Sequence, residues 1–452
     1  MLMPCADHRR PDDFFEQLRR VEFARLDRQR HAYLDYTGAA LYADSQVRAH
    51  TACLRSQIFG NPHADHGASR LSTETIDRAR ARVLSFLDAD PSAYTVCFTA
   101  NATAAIKLVA ESYPFAADRG LVLCADNHNS VNGIREYARR ARAPVAYLAL
   151  QPDLRLADPV AALSAHAAGA GLFAFPAQSN FSGVRHPLSL VREAKRLGYD
   201  VLLDAAALVP SHPLSLGCCP ADFVALSFYK LFGYPTGVGA LVARRDALQR
   251  LRRPWFAGGT VTYASVAADA HRLQPSHEGF EDGTGNYLAI AALEPGFQLL
   301  ERVGMSRLST HVAQLTGIVL ERLAGMRHRD GSPATVVYGP ADTTDRGGTI
   351  AFNILERNGR VVPFGEVEQK ASLARVSVRG GCFCNPGAAE RAFGLSAATT
   401  ASCLAALGDR FTPERFARCT ERPAGAVRLS VGLATNEADI ARALDIVASF
   451  SA

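Results

Sequence analysis

Lysine is scarce in this chain. Of 49 basic residues only Lys107, Lys195, Lys230 and Lys370 are lysine, the rest being arginine. Arginine cannot form a Schiff base, so any chemistry that needs a nucleophilic amine falls to one of those four side chains. An apolar run of the roughly 18 residues that a membrane helix requires is also missing. The opening MLMPCADHRRPDDFF has no apolar core of the secretory kind, and the expected location is the cytoplasm. The net charge of +5 over 452 residues is small and dispersed, which argues against a nucleic-acid or membrane-surface footprint. Ten cysteines form no paired CxxC sets, so no metal site is expected. In a long chain read as cytoplasmic they are expected to be reduced rather than bridged.

What is present is ample apolar sequence, 48% of residues, enough for one large core and a smaller one. Short apolar runs suited to buried parallel strands stand at 94–98, 120–124, 171–175, 201–203, 223–226 and 238–242. Helix-like stretches at 102–111, 130–142 and 188–197 lie between several of them. That alternation predicts an α/β domain with a mostly parallel sheet and a ligand site beyond the carboxyl ends of its strands. The character changes near residue 299: helical segments, strands at 349–355, 374–378 and 426–430, and a terminal helix from about Asn436. The expected division is a polar helical segment over 1–30, a large domain over 31–298 and a smaller α+β domain over 299–452.

The residues that follow each strand form a polar set: Thr99 to Thr103, His128, Asn180, Asp204, then Ser227 with Lys230. A helix opening just after Thr99-Ala-Asn-Ala-Thr103 would offer backbone N–H groups to a phosphate, although an ordinary Thr/Asn N-cap explains that segment better when it is taken alone. Asp204 ends an apolar strand, where a carboxylate can pair with a pyridinium nitrogen. Lys230 sits among aromatic residues and glycines, a setting that desolvates its amine and makes it more nucleophilic. His128 could stack on a ring or serve the fold alone.

The segment Val378-Arg-Gly-Gly-Cys-Phe-Cys-Asn-Pro-Gly387 reads as a flexible loop presenting two cysteines. If the stretch is locally extended, Cys382 and Cys384 point in opposite directions, and only one of them can face a given site. Arg379, just upstream, is placed to clamp a carboxylate through paired hydrogen bonds.

Together these segments resemble the class V aminotransferase superfamily and, within it, the aminotransferase-like domain of the molybdenum cofactor sulfurases. The resemblance rests on Tyr33-Leu-Asp-Tyr-Thr-Gly-Ala39, Gly60-Asn-Pro-His63, Phe98-Thr-Ala-Asn-Ala-Thr-Ala-Ala-Ile-Lys-Leu-Val109, Gln178-Ser-Asn-Phe-Ser-Gly183, Ser227-Phe-Tyr-Lys230 and Gly381-Cys-Phe-Cys-Asn-Pro-Gly387. It implies a fold-type I homodimer that binds pyridoxal 5′-phosphate near the subunit interface. By resemblance, Lys230 holds the cofactor as a Schiff base, Asp204 pairs with its ring nitrogen and His128 stacks on the ring. Asn180 lies near the ring hydroxyl or substrate, and Ala102, Thr103 and Ser227 cradle the phosphate. Thr284 is similar to a residue that reaches the phosphate from a second subunit, Arg379 to the substrate-carboxylate arginine, and Cys384 to the persulfide cysteine. Two positions depart from the housekeeping desulfurases: Tyr229 stands where they carry His, and Ala207 where they carry Gln.

The implied reaction converts L-cysteine to alanine, leaving a persulfide on Cys384 for an acceptor, a protein or a small molecule, that the sequence does not name. Two alternatives stay open. One is another pyridoxal phosphate reaction, by a C–S lyase, a transaminase or a biosynthetic enzyme for an unusual amino acid, which would not need Cys384. The other is a sulfur-relay partner that binds the cofactor without turnover.

Overall fold

The computed structural model describes residues 11–450. A seven-stranded sheet runs from edge to edge through Tyr94–Thr99, Gly239–Arg244, Phe223–Ser227, Asp200–Asp204, Leu172–Pro176, Leu121–Cys124 and Val145–Leu148. Only Gly239–Arg244 is reversed, pairing antiparallel with both neighbours. The central strands read as unbroken apolar runs because helices cover both faces, and every residue of Leu172–Pro176, Phe223–Ser227 and Leu121–Cys124 is buried. Each large apolar side chain taken wholly out of water, such as Phe173 and Phe223, contributes about 1.5–3 kcal/mol. One hydrophobic cluster extends through both sheets, and a second fills the face beneath the helix Ala102–Ser112.

A four-stranded antiparallel sheet, in the order Thr335–Tyr338, Thr349–Ile354, Ala426–Ser430 and Arg379–Gly381, forms the second layer. The terminal helix Glu437–Ala448 starts where expected, with the Asn436 side chain capping the Asp439 N–H. The expected strand at 374–378 shrinks to Val376–Ser377, which pairs in parallel with Ala32–Tyr33. These two short strands form a two-stranded sheet of their own. The expected passage at 298–299 falls inside the continuous helix Leu293–Val303.

Of the expected N-terminal segment, residues 1–10 lie outside the described residues. The helix Pro11–Glu22 docks through Arg19, which is buried and 2.5 Å from Asp439 of the terminal helix. The expected helix at 130–142 is split at Gly133 into Asn129–Asn132 and Ile134–Arg140. The edge strand Val145–Leu148 goes beyond the sequence reading, since its residues are mostly not buried and lack the apolar run that marks its neighbours.

One expectation is corrected outright. Cys403 and Cys419 form a disulfide, with an S–S distance of 2.04 Å across a separation of 16 residues. It staples the helix Ala397–Leu407 to the helix Pro413–Thr420. Spacing alone does not announce such a bridge, because connectivity depends on the fold that brings the two sulfurs together. Cys53, Cys97, Cys124, Cys218, Cys219, Cys382 and Cys384 are unbridged.

Candidate active site

The carboxyl ends of the parallel strands gather most of the polar residues singled out from the sequence. The phosphate-like cradle forms where Tyr94–Thr99 turns into the helix Ala102–Ser112. Asn101 caps this helix, its Oδ1 accepting from the Ala104 N–H at 3.0 Å. Ser227 Oγ accepts from the Ala102 N–H at 2.8 Å, joining the strand Phe223–Ser227 to the helix start. No hydrogen bond occupies the Thr103 N–H among the described residues. The Thr103 hydroxyl lies 2.8 Å from that of Ser130, which is 3.0 Å from His128 Nδ1. Gly239 makes the close approach possible, because a Cβ there would fall 2.5 Å from the Asn101 backbone.

Asp204 is buried at the end of its strand, with one carboxylate oxygen accepting from the Ala206 N–H at 3.0 Å. The Lys230 amine is pushed below the ordinary lysine range by desolvation. Asp204 pulls it back up, Arg428 and Arg379 oppose that, and the charge of Cys384 also raises it. His128 is lowered by burial and then by the Lys230 charge, with Asp204 acting in the other direction. Its Nδ1 accepts from the Ser130 N–H at 3.1 Å, so the neutral ring carries its proton on Nε2. Lys230, Asp204 and His128 therefore share one electrostatic environment, and Cys384 also acts on the Lys230 amine.

Two arginines meet on one aspartate. Arg379 Nη2 is 2.5 Å from Asp35, and Arg428 Nη2 lies 3.0 Å from the other oxygen of the same carboxylate. Their surroundings push them in opposite directions. The hydrogen bond to Asp35 raises the half-exposed Arg379, whereas burial lowers Arg428 despite Asp35. Arg428 Nε is buried without a hydrogen-bond partner. Two positive charges against one negative leave the cluster net cationic, as a site for a carboxylate requires. Gly38 is needed beneath it, since a Cβ there would lie 2.5 Å from Asp35 and 2.7 Å from Arg379. The sequence reading named Arg379 but missed Arg428. The signal for Arg428 was a single charge inside the strand Ala426–Ser430, every residue of which is buried.

The cysteine segment differs from the flexible loop expected. Every carbonyl of Cys382-Phe-Cys384 accepts a hydrogen bond from an asparagine. The donors are the Asn385 N–H at 3.0 Å, the Asn180 side-chain amide at 2.7 Å and the Asn129 N–H at 2.7 Å. Phe383 and Cys384 both have φ of +56° and so are not extended. Phe383 is buried against Phe181 with the Arg428 guanidinium over its ring, whereas Cys382 and Cys384 are both exposed. Exposure thus does not distinguish the two cysteines. Asn180 also takes Arg428 Nη1 on its backbone carbonyl at 3.0 Å, which binds it to the cysteine segment and the arginine pair. Thr284 stands apart, exposed, with no hydrogen bond to the other candidate residues.

These features fit pyridoxal 5′-phosphate: a free N–H at a capped helix start, a buried carboxylate at a strand end, a desolvated amine and an unpaired buried guanidinium donor.

The family model of aminotransferase class-V matches residues 32–442 of the chain. Relatives named molybdenum cofactor sulfurase include one from Drosophila mojavensis, 37% identical across 94% of this chain and 58% of the relative. The tomato protein, from Solanum lycopersicum, is 35% identical across 96% of this chain and 57% of the relative. The chain therefore spans somewhat under three fifths of the length of these relatives. In fold it is similar to a cysteine desulfurase from Thermococcus onnurineus, with a TM-score of 0.81 at 22% identity and 99% coverage of both chains. The Escherichia coli cysteine desulfurase CsdA gives a TM-score of 0.75 at 19% identity, covering 98% of this chain and 99% of that one. A cystine C–S lyase gives 0.70 at 19% identity, covering 93% and 98%.

Proposed function

The chain belongs to the aminotransferase class-V family, and from that premise we propose that it is a pyridoxal phosphate-dependent cysteine desulfurase and sulfurtransferase acting on L-cysteine. The observation that carries this reading is Cys384: an exposed thiol on a segment whose carbonyls are held by Asn129, Asn180 and Asn385, with Asn180 joining that segment to the arginine pair. A lyase or transaminase has no use for a nucleophile there.

Lys230, Asp204, His128, Ser227, Ala102 and Thr103 would hold the cofactor, with Thr284 of a second copy completing the phosphate site. When bound, the cofactor supplies an electron sink for negative charge at the substrate Cα. Lys230, its amine depressed by burial, takes and returns the Cα proton. Arg379 and Arg428 receive the substrate carboxylate, Arg428 through its unpaired Nε, and Asn180 steadies them from beneath. The Cys384 thiolate attacks the substrate sulfur: an S–S bond forms, the C–S bond breaks, and the carbon takes a proton to give alanine. The terminal sulfur then passes to an acceptor protein or small molecule.

The division into 1–30, 31–298 and 299–452 belongs to this reading, with the cysteine segment and Arg428 brought to the cofactor residues from the last part. So does a homodimer, supported by the exposed apolar residues Trp255, Phe256 and Tyr263 in a stretch whose Gly258 carbonyl accepts from the Gly283 N–H beside Thr284. No helix among the described residues is long and apolar enough to cross a membrane. Cytoplasmic placement is supported by the seven unbridged cysteines among the described residues; the Cys403–Cys419 bridge weighs against it.

The test is incubation of the purified protein with L-cysteine, followed by quantification of alanine, sulfide and pyruvate. Alanine without pyruvate is expected. Pyruvate as the main product would favour the lyase alternative, to which the fold similarity with a cystine C–S lyase lends some support.

A further inference from the structure

The geometry points to Asp126 as a positioning residue for Cys384, acting through Asn385. This rests on the desulfurase reading for its purpose, though not for its structural content. Asp126 is fully buried in the turn after the strand Leu121–Cys124 and belongs to none of the cofactor or substrate contacts above. One of its oxygens accepts from Ser179 Oγ and from the Asn385 side-chain amide, both at 2.7 Å, and the other lies 2.9 Å from His186 Nε2. A buried carboxylate is tolerable only with such a set of donors.

Asn385 is the next residue after Cys384 and is also fully buried. Its amide nitrogen donates to Asp126 and to Asn180 Oδ1 at 3.0 Å, and its Oδ1 caps the helix Pro386–Phe393 through the Ala388 N–H. Its backbone N–H holds the Cys382 carbonyl, and Asn180 in turn holds the Phe383 carbonyl. From Asp126 the network thus reaches both residues preceding Cys384. Gly387 brings the two stretches together, since a Cβ there would fall 2.2 Å from the Ala125 carbonyl.

Two successive non-glycine residues in the left-handed region, Phe383 and Cys384, persist only where their surroundings over-determine them. Here the over-determination comes from Asp126, Asn385 and Asn180. The backbone that carries the thiol is thereby held in one conformation instead of sweeping a volume. Holding a nucleophile in attack geometry raises the rate of the chemical step without changing how well substrate binds.

The test compares Asp126→Ala, Asn385→Ala and Asp126→Asn with the unaltered holoenzyme. Amide exchange is followed at Asn129, whose N–H holds the Cys384 carbonyl, and iodoacetamide labelling of Cys384 is followed by peptide mass spectrometry with exposed Cys218 as internal reference. Steady-state alanine formation supplies kcat and KM. Both alanine variants should speed Asn129 exchange at least tenfold, change the Cys384:Cys218 labelling ratio at least threefold, and lower kcat at least tenfold with KM for L-cysteine within threefold. Asp126→Asn should restore most of what Asp126→Ala loses, because His186 can turn its free Nδ1 into the protonated nitrogen and accept from the new amide on Nε2. If Asp126→Ala does not fold, Asn385→Ala decides alone, since it leaves the Asp126–His186 pair in place. Unchanged Asn129 exchange and Cys384 labelling in a folded alanine variant would overturn the proposal. Absence of alanine from the unaltered protein would instead refute the desulfurase reading, and exchange and labelling would still judge the positioning role.

Discussion

The two halves of the candidate site are built by different means. The half around Lys230 is made of strand ends: Asp204, Ser227 and the start of the helix Ala102–Ser112 follow directly from where buried strands stop. The half around Cys384 is made of bonds to backbone carbonyls, long-range from Asn129 and Asn180 and local from Asn385, and of an arginine pair sharing Asp35. The first depends on the sheet and tolerates change in its neighbours. The second depends on individual side chains, and losing one of them loosens the rest.

The sharpest way to break the first half is Lys230→Ala. It should abolish the visible absorbance of lysine-bound cofactor and lower alanine formation by about 10²–10⁴-fold. An unchanged spectrum and an unchanged borohydride-trapped adduct would contradict the assignment.

The second half should break at Arg428. Arg428→Leu removes one partner of a buried ion pair, and because Asp35 keeps the half-exposed Arg379, the cost should sit at or below about 3–5 kcal/mol. Thermal melting should show a lower Tm, and KM for L-cysteine should rise. Arg379→Ala should cost much less in stability, about 0–1 kcal/mol after solvent screening. Equal effects from the two would show that the burial difference between them is not what matters.

Further along the same segment, Cys403→Ser should reduce stability by at most about 3 kcal/mol, the value for closing a loop of roughly 15 residues, while leaving alanine formation intact. Chemical denaturation and the alanine assay together check this. A loss of activity would mean that the stapled helices carry more than local stability.

The contrast also explains what could be read from the sequence. Asp204, Ser227 and Lys230 were legible because each stands just beyond an apolar run, and a run of that kind marks a buried parallel strand. Arg428 was not, because one charge inside the strand Ala426–Ser430 gives no hint of the Asp35 it pairs with nearly four hundred residues earlier. The pinning of Cys382-Phe-Cys384 was equally hidden, since glycine and proline around it suggest looseness while its restraints come from Asn129 and Asn180. The edge strands Val145–Leu148 and Thr335–Tyr338 escaped because partial exposure dilutes their apolar pattern. The Cys403–Cys419 bridge depends on two helices meeting, which no spacing rule foretells.

The most direct test of the central claim is mass spectrometry of the holoenzyme trapped by alkylation after treatment with L-cysteine. A mass increase of one sulfur on the peptide containing Cys384 is expected, assigned to Cys384 rather than Cys382 by fragmentation. Cys384→Ser should lose it along with most alanine, whereas Cys382→Ser should keep both. A persulfide found on Cys382, or full alanine release by Cys384→Ser, would contradict the account.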